Sequence, residues 1–230
     1  GDIAPPDIYF DGKLIPPTET IVSLGVTLNK GCIPYKQHDD VESSIKTMKI
    51  LIAKGFRIRD QAILERLYTT YILPRINYCS QLYHTGQLAH LRDLEKELGR
   101  FWNLCDTKMT PKGVLELTDQ LIFNDLKFMH KIRHGLSPID FDEFFTISDL
   151  EKTTNEKITP KPFKHAFAKH SFFYRIHNYW NYLPVAIRNL KPEPFKVKIK
   201  SIFTDEKWSR HRQNLLNFGL DTPISGPPDD

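Results

Sequence analysis

The sequence predicts a mainly α-helical protein with a small β element near its N-terminus. Three observations predict it. Apolar residues recur at three- and four-residue steps in five separate stretches, the spacing of one helix face. Asp11-Gly12 separates two short apolar runs, which is a hairpin signal. Hydrophobic residues make up 40% and charged residues 26% of the 230 positions, a globular composition at a length that can bury a sizeable core.

In chain order, "IYFDGKLIPPTETIVSLGVTLN" reads as short strands broken at Asp11-Gly12 and at Pro16-Pro17. The run Ile21 to Leu28 reads as one strand, with Gly25 marking a bulge or a close approach. Asp39 is the expected cap of the first helix, with Glu42 three residues on completing a capping box. Val41, Ile45, Met48 and Ile52 share its inner face, and Gly55 ends it. Asp60 caps the next helix, with Ile63, Leu64, Leu67, Tyr68, Tyr71 and Ile72 as its apolar stripe. Pro74 lacks an amide hydrogen and must break or kink it. A long amphipathic helix follows, from Leu88 through Leu94, Leu98 and Trp102 to Cys105. Another spans Phe123 to His134, with Gly135 as its stop. Glu151 to Lys164 is polar, holds two prolines and reads as a linker. Ser171 then caps a helix that Pro184 terminates. On it Phe172, Phe173, Ile176, Tyr179, Trp180 and Leu183 face the core. Arg175, His177, Asn178 and Tyr182 are expected on the other faces. The residues after Asn217 read as a loose tail.

Net charge is +4, which predicts only a weak preference for polyanions. The basic residues are clustered, however: Lys46, Lys49, Lys54, Arg57 and Arg59 in one group, Lys164, Lys169 and Arg175 in another. The three cysteines, Cys32, Cys79 and Cys105, are far apart and form no CxxC pair, which argues against a disulfide framework or a zinc knuckle and for a reducing, intracellular compartment, nucleus or cytoplasm. No apolar run approaches the roughly eighteen residues of a membrane span, and no signal peptide is visible.

Candidate chemistry is sparse. His38, Asp39 and Asp40 could suggest a metal-dependent nuclease, although adjacent carboxylates at a helix start also serve as caps. His130 and His134 have metal-ligand spacing but no acidic or thiolate neighbour in sequence. His84 with His90 and His165 with His170 are weaker pairs. None of the common nucleophile, phosphate-loop or zincin motifs occurs, so no catalytic residue, metal site or cofactor is assigned, and no enzymatic activity is expected from this chain alone.

Several stretches, in order, resemble the C-terminal part of a reverse transcriptase from a non-LTR retrotransposon, of the LINE type and the Jockey-like group. "IVSLGVTLN" resembles the primer-grip region after the catalytic strands of the palm, which implies a primer-grip role for Leu24 and Gly25. "HDDVESSIKTMKILIAKG" and "LERLYTTYILPRINYCSQLYHTGQLAHLRDLEKELGRFWN" resemble the helical thumb, the latter through Leu73-Pro74, Ile76, Tyr78 and Leu94-Glu95. "LIFNDLKFMHKIRHG" resembles the helix after the thumb. "HSFFYRIHNYWNYLPVAIRN" resembles the near-terminal block, through Ser171-Phe172, Arg175, Trp180-Asn181 and Leu183-Pro184.

The resemblance implies an end of palm at 1–36, a helical thumb at 37–105, a helical post-thumb region at 106–212 and a flexible tail at 213–230. The palm's catalytic box, an aromatic followed by Ala-Asp-Asp or similar, is absent from the sequence. Magnesium is therefore expected only for a complete polymerase. The implied function is to grip primer-template weakly and without sequence preference, through the two basic groups. The alternative is a degenerate or domesticated helical module that binds protein partners.

Overall fold

Two tight hairpins open the chain. In this computed structural model, residues 7–29, 35–56, 60–84, 88–104, 113–148, 156–162 and 171–204 are described. β1 (Ile8–Phe10) pairs antiparallel with β2 (Lys13–Ile15). Asp11 and Gly12 both take positive φ, 49° and 71°, as a type I′ turn requires. β3 (Thr20–Ser23) and β4 (Val26–Asn29) form a second hairpin. The run around Gly25 is thus two strands and a turn. Leu24 and Gly25 are the turn residues, with φ of 50° and 75°. A left-handed leucine costs on the order of 1–2 kcal/mol. The Leu24 carbonyl is held in place by the Tyr78 hydroxyl.

α1 (Tyr35–Gly55) begins before the Asp39-Asp40 pair, so neither aspartate caps it. Asp40 instead docks the second hairpin. Its carboxylate accepts from the Thr27 hydroxyl at 2.6 Å and from Lys36 at 2.8 Å, while Gln37 accepts from the Thr27 amide at 2.8 Å. α2 (Gln61–Leu67) is capped by Asp60, which accepts from the Ala62 and Ile63 amides at 2.8 and 3.4 Å. Pro74 does not break the helical path. The backbone widens into a π-helical segment (Tyr68–Ile72) and continues as α3 (Leu73–Asn77). The wider turn just ahead of the proline accommodates the hydrogen bond that a proline cannot make. Cys79, at φ 49°, reverses the chain into α4 (Ser80–Tyr83).

α5 (Leu88–Trp102) lies against α1, and α6 (Leu117–Arg133) follows. α6 ends as the sequence predicts. Gly135 has φ 65°, the Leu136 amide donates to the Lys131 carbonyl at 2.8 Å and the Gly135 amide to Ile132 at 3.2 Å. These are the paired bonds of a Schellman motif.

After a short α7 (Phe141–Phe144), β5 (Phe145–Ser148) pairs antiparallel with β6 (Lys157–Pro160). Part of the expected polar linker is therefore a strand. Asn181 of α8 (Phe172–Tyr182) explains why. Its side chain accepts from the Ile158 amide and donates to the Ile158 carbonyl, both at 2.8 Å, acting as one residue of a neighbouring strand. α9 (Val185–Arg188) and α10 (Pro192–Thr204) complete the described chain.

Two hydrophobic cores result. The first joins α1, α2, α3, α5 and the start of α6, with Tyr68, Phe101 and Trp102 in mutual ring contact at 4.9–6.1 Å. The second joins the rest of α6 to β5, β6, α8, α9 and α10 around Trp180, Phe145, Phe195 and Met129. The first core extends past the expected boundary at 105/106, since Leu117 and Leu121 of α6 belong to it while Ile122, Leu126, Met129 and Ile132 of the same helix belong to the second. The architecture is mainly α, and among the described residues every sheet is a two-stranded antiparallel pair. No described helix is long and apolar enough to cross a membrane.

The aromatic face of α8 is core. Trp180 is 2% exposed and Leu183 4%, while Phe173 is half-buried against Phe144. Two residues expected on the opposite faces are also inside, Arg175 and Tyr182. Trp180→Ala is expected to destabilise the protein by about 3–5 kcal/mol, read as a lower urea midpoint. A midpoint unchanged from the parent would remove Trp180 from the core.

Candidate nucleic-acid interface

A phosphate-binding cation must be reachable and must not already be neutralised by a carboxylate. The first basic group meets this test only in part. Lys46 pairs with Glu42 one turn earlier on α1. Lys49 crosses to α5 and pairs with Glu97 at 2.5 Å. Glu97 is 2% exposed, and it also accepts from Arg100. Burial alone would push its carboxyl up, but the two cations outweigh that and hold it below the usual range. Lys49 is thus the partner that makes a buried carboxylate tolerable. Lys54, in the last turn of α1, is exposed and has no ion pair among the described residues. Arg57, Arg59, Lys164 and Lys169 lie outside the described residues, as do His165 and His170.

Arg175 is a correction. It is 8% exposed, and its guanidinium is committed on two sides. Nε donates to Asp125 Oδ2 at 2.9 Å, and Nη2 donates to Asp125 Oδ1 at 3.2 Å and to the Gln81 carbonyl at 3.0 Å. His84 Nδ1 meets the same Asp125 Oδ2 at 2.9 Å. Burial would push the Asp125 carboxyl up, yet Arg175 and His84 keep it below the usual carboxylate range. Burial, reinforced by Arg175, pushes His84 below the ordinary imidazole value against the pull of Asp125. A ring of amides surrounds this triad. Asn77 Oδ1 accepts from Gln120 at 3.0 Å and from Asn124 at 2.8 Å, and Asn124 also donates to the Ser80 hydroxyl at 3.2 Å.

The primer-grip-like pair sits at a hairpin tip. Leu24 is 88% exposed, and a side chain at Gly25 would meet only Tyr78, at 3.8 Å. The tip is fixed from behind by the Tyr78 hydroxyl.

The histidine pairs have structural partners. His130 Nε2 meets the Leu190 carbonyl at 2.8 Å and His134 Nε2 the Arg188 carbonyl at 3.0 Å. The two anchor the α9–α10 corner to α6. Among the described residues, His38, Asp39 and Glu42 come within metal-ligating reach of one another. It differs from the His38, Asp39 and Asp40 grouping that the sequence offers as a weak alternative, because Asp40 is engaged by Thr27 and Lys36. Glu42 is itself paired with Lys46.

The sequence reading missed a basic cleft of about 340 Å³ between the α3–α4 corner, α6 and α10. Lys127 and Lys131 of α6 and Lys196 of α10 line it. Lys127 and Lys131 are four residues apart, hence on one helix face. That spacing was the available signal, hidden in a stretch whose apolar residues drew attention. A second cleft, of about 250 Å³ beside Trp102, carries Glu95 and Glu116 and, among the described residues, no cation, the wrong sign for a phosphate.

No family model, no curated protein and no solved structure matches this chain.

The triad has a pH signature. His84 and Asp125 both have folded-state pKa values below their unfolded ones, so the unfolded chain binds more protons between the two values. Their stabilisation is complete above the unfolded values, about 6.5 for histidine and 3.9 for aspartate. It is lost as pH falls through the folded ones. Stability is expected to decline as pH drops below about 6.5, read as the urea midpoint against pH. His84→Asn, which keeps a donor to Asp125, is expected to flatten that decline. His130 and His177, also lowered by burial, supply the remainder. An unchanged profile in the variant would show that His84 contributes nothing to it.

Proposed function

We propose that this chain is the part of a non-LTR retrotransposon reverse transcriptase that follows the catalytic strands, and that it holds primer-template through the phosphate backbone. The observation that carries this reading is uncompensated positive charge on a helical framework. Lys54, Lys127 and Lys131 have no ion pairs among the described residues, in a chain whose stretches resemble that family's in order. Backbone contacts position a duplex without reading its sequence, and hybrid duplexes are recognised largely by shape and phosphate. The catalytic aspartates and their magnesium belong, in this reading, to the palm of the complete polymerase.

One observation favours a second reading, a module that binds protein partners. The two N-terminal hairpins expose Phe10 at 75%, Val22 at 69%, Tyr9 at 63% and Ile8 at 60%. Large apolar side chains on short open strands are a liability unless another surface covers them.

The two readings separate in a binding experiment. Fluorescence anisotropy of two short duplexes of unrelated sequence is expected to give equal affinities, micromolar or weaker near physiological salt. With three or four phosphates neutralised, log affinity against log salt should have a slope of roughly −3. Absence of binding at low salt, or a clear preference for one sequence, would end the backbone-grip reading and leave the interaction module. Reversal of Lys49 is unsuitable for this test, since it strands Glu97.

A further inference from the structure

We propose that the cleft between the α3–α4 corner, α6 and α10 is a phosphate-binding site, occupied by a backbone phosphate of the nucleic acid. This deepens the nucleic-acid reading and rests on it for the source of the phosphate.

Three features of the cleft carry the proposal. Lys127, Lys131 and Lys196 converge on it from two helices, and among the described residues no carboxylate lines it. Among the described residues Lys127 and Lys131 have no ion pair, and Lys127 lies over the Phe123 ring at 4.6 Å. Lys196 is paired only within its own helix, to the exposed Glu193 at 2.5 Å. Three like charges around one opening repel one another, and an anion between them removes that cost.

The polar wall is suited to the same ligand. Asn77, Gln81 and Asn124 line the cleft beside the lysines. The Asn77 carbonyl accepts from both Gln120 and Asn124, which leaves its amide nitrogen as a donor for the cleft. Burial, together with Lys196 and Lys131, pushes the Lys127 pKa down, so bound anion and full protonation of Lys127 favour each other. The α10 N-terminus adds little, because Pro192 and Pro194 have no amide hydrogen. The charge is supplied by the lysines. Their separation into two helices sets an opening that a flat lysine surface lacks.

The test uses the whole chain, with Lys131→Gln and Lys127→Gln/Lys131→Gln beside the parent. Thermal melts establish that each variant is folded. Lys131 is exposed, so the single variant keeps the test intact if the double one melts early. Anisotropy of a fluorescein-labelled DNA duplex is followed across salt, and inorganic pyrophosphate is titrated by calorimetry. The salt slope is expected to flatten by about 0.9 in the double variant, the contribution of the one phosphate the cleft holds, and by a smaller amount in the single variant. Duplex binding with the parent's slope in both variants overturns the cleft and leaves the nucleic-acid reading standing. Pyrophosphate binding that the variants lose, with no duplex binding by the parent, upholds the cleft for a free phosphate compound and overturns the nucleic-acid reading. Binding of neither probe by the parent overturns both.

Discussion

A buried carboxylate, Asp125, fixes how the two halves of this protein meet. It is fully enclosed, where an unpaired charge would cost several kcal/mol. Its compensation comes from both sides of α6, His84 from the segment before α5 and Arg175 from α8. The Arg175 guanidinium is a planar array of donors with little tolerance for displacement. The α8 helix can therefore pack on α6 in one register, with Trp180 and Tyr179 falling into the second core. The Arg175 bond to the Gln81 carbonyl adds a second fixed point on the other half. Apolar packing alone would stabilise both cores without specifying how they are joined.

The same constraint decides which charges face solvent. A net charge of +4 says little until the cations are sorted by partner. Arg175 is inside against Asp125, Lys49 holds Glu97, and Lys46 answers Glu42. Among the described residues, cations without such a partner include those at the end of α1 and on the α6–α10 face. Counting lysines along the sequence weights all of these equally. Electrostatic attraction for a polyanion depends on the uncompensated ones.

How much was legible follows from where the deciding partner lies. Asp60 as a cap, Gly135 as a stop and Asp11-Gly12 as a turn are local matters, and sequence states them directly. Leu24-Gly25 is also a turn, but leucine carries no hairpin signal, because its left-handed backbone is held by Tyr78 from a distant helix. Asp40 looks like a cap until Thr27 is seen beside it. Residues 157–160 look like linker until Asn181 supplies the missing strand bonds. Arg175 was legible and was misassigned. It stands three residues after Phe172 and four before Tyr179, on the buried face by helical spacing. A charge on that face signals a buried partner, and Asp125 is an acid on the core face of α6.

The short segment from Asn77 to His84 ties these parts together. Cys79, with its left-handed backbone, turns the chain between α3 and α4, so that neighbouring residues point to different partners. Tyr78 holds the hairpin tip at Leu24, while Asn77 and Ser80 meet Asn124. Gln81 receives Arg175, Tyr83 closes back on the Ile76 carbonyl, and His84 reaches Asp125. A regular helix through this segment would align side chains at three- and four-residue spacing on one face. It could not serve the hairpin, the amide ring and the buried triad at once. The strained residue is what allows eight positions to reach three separate surfaces. The exposed hairpin tip, the wall of the basic cleft and the buried triad are in this way all contacted from one turn of backbone.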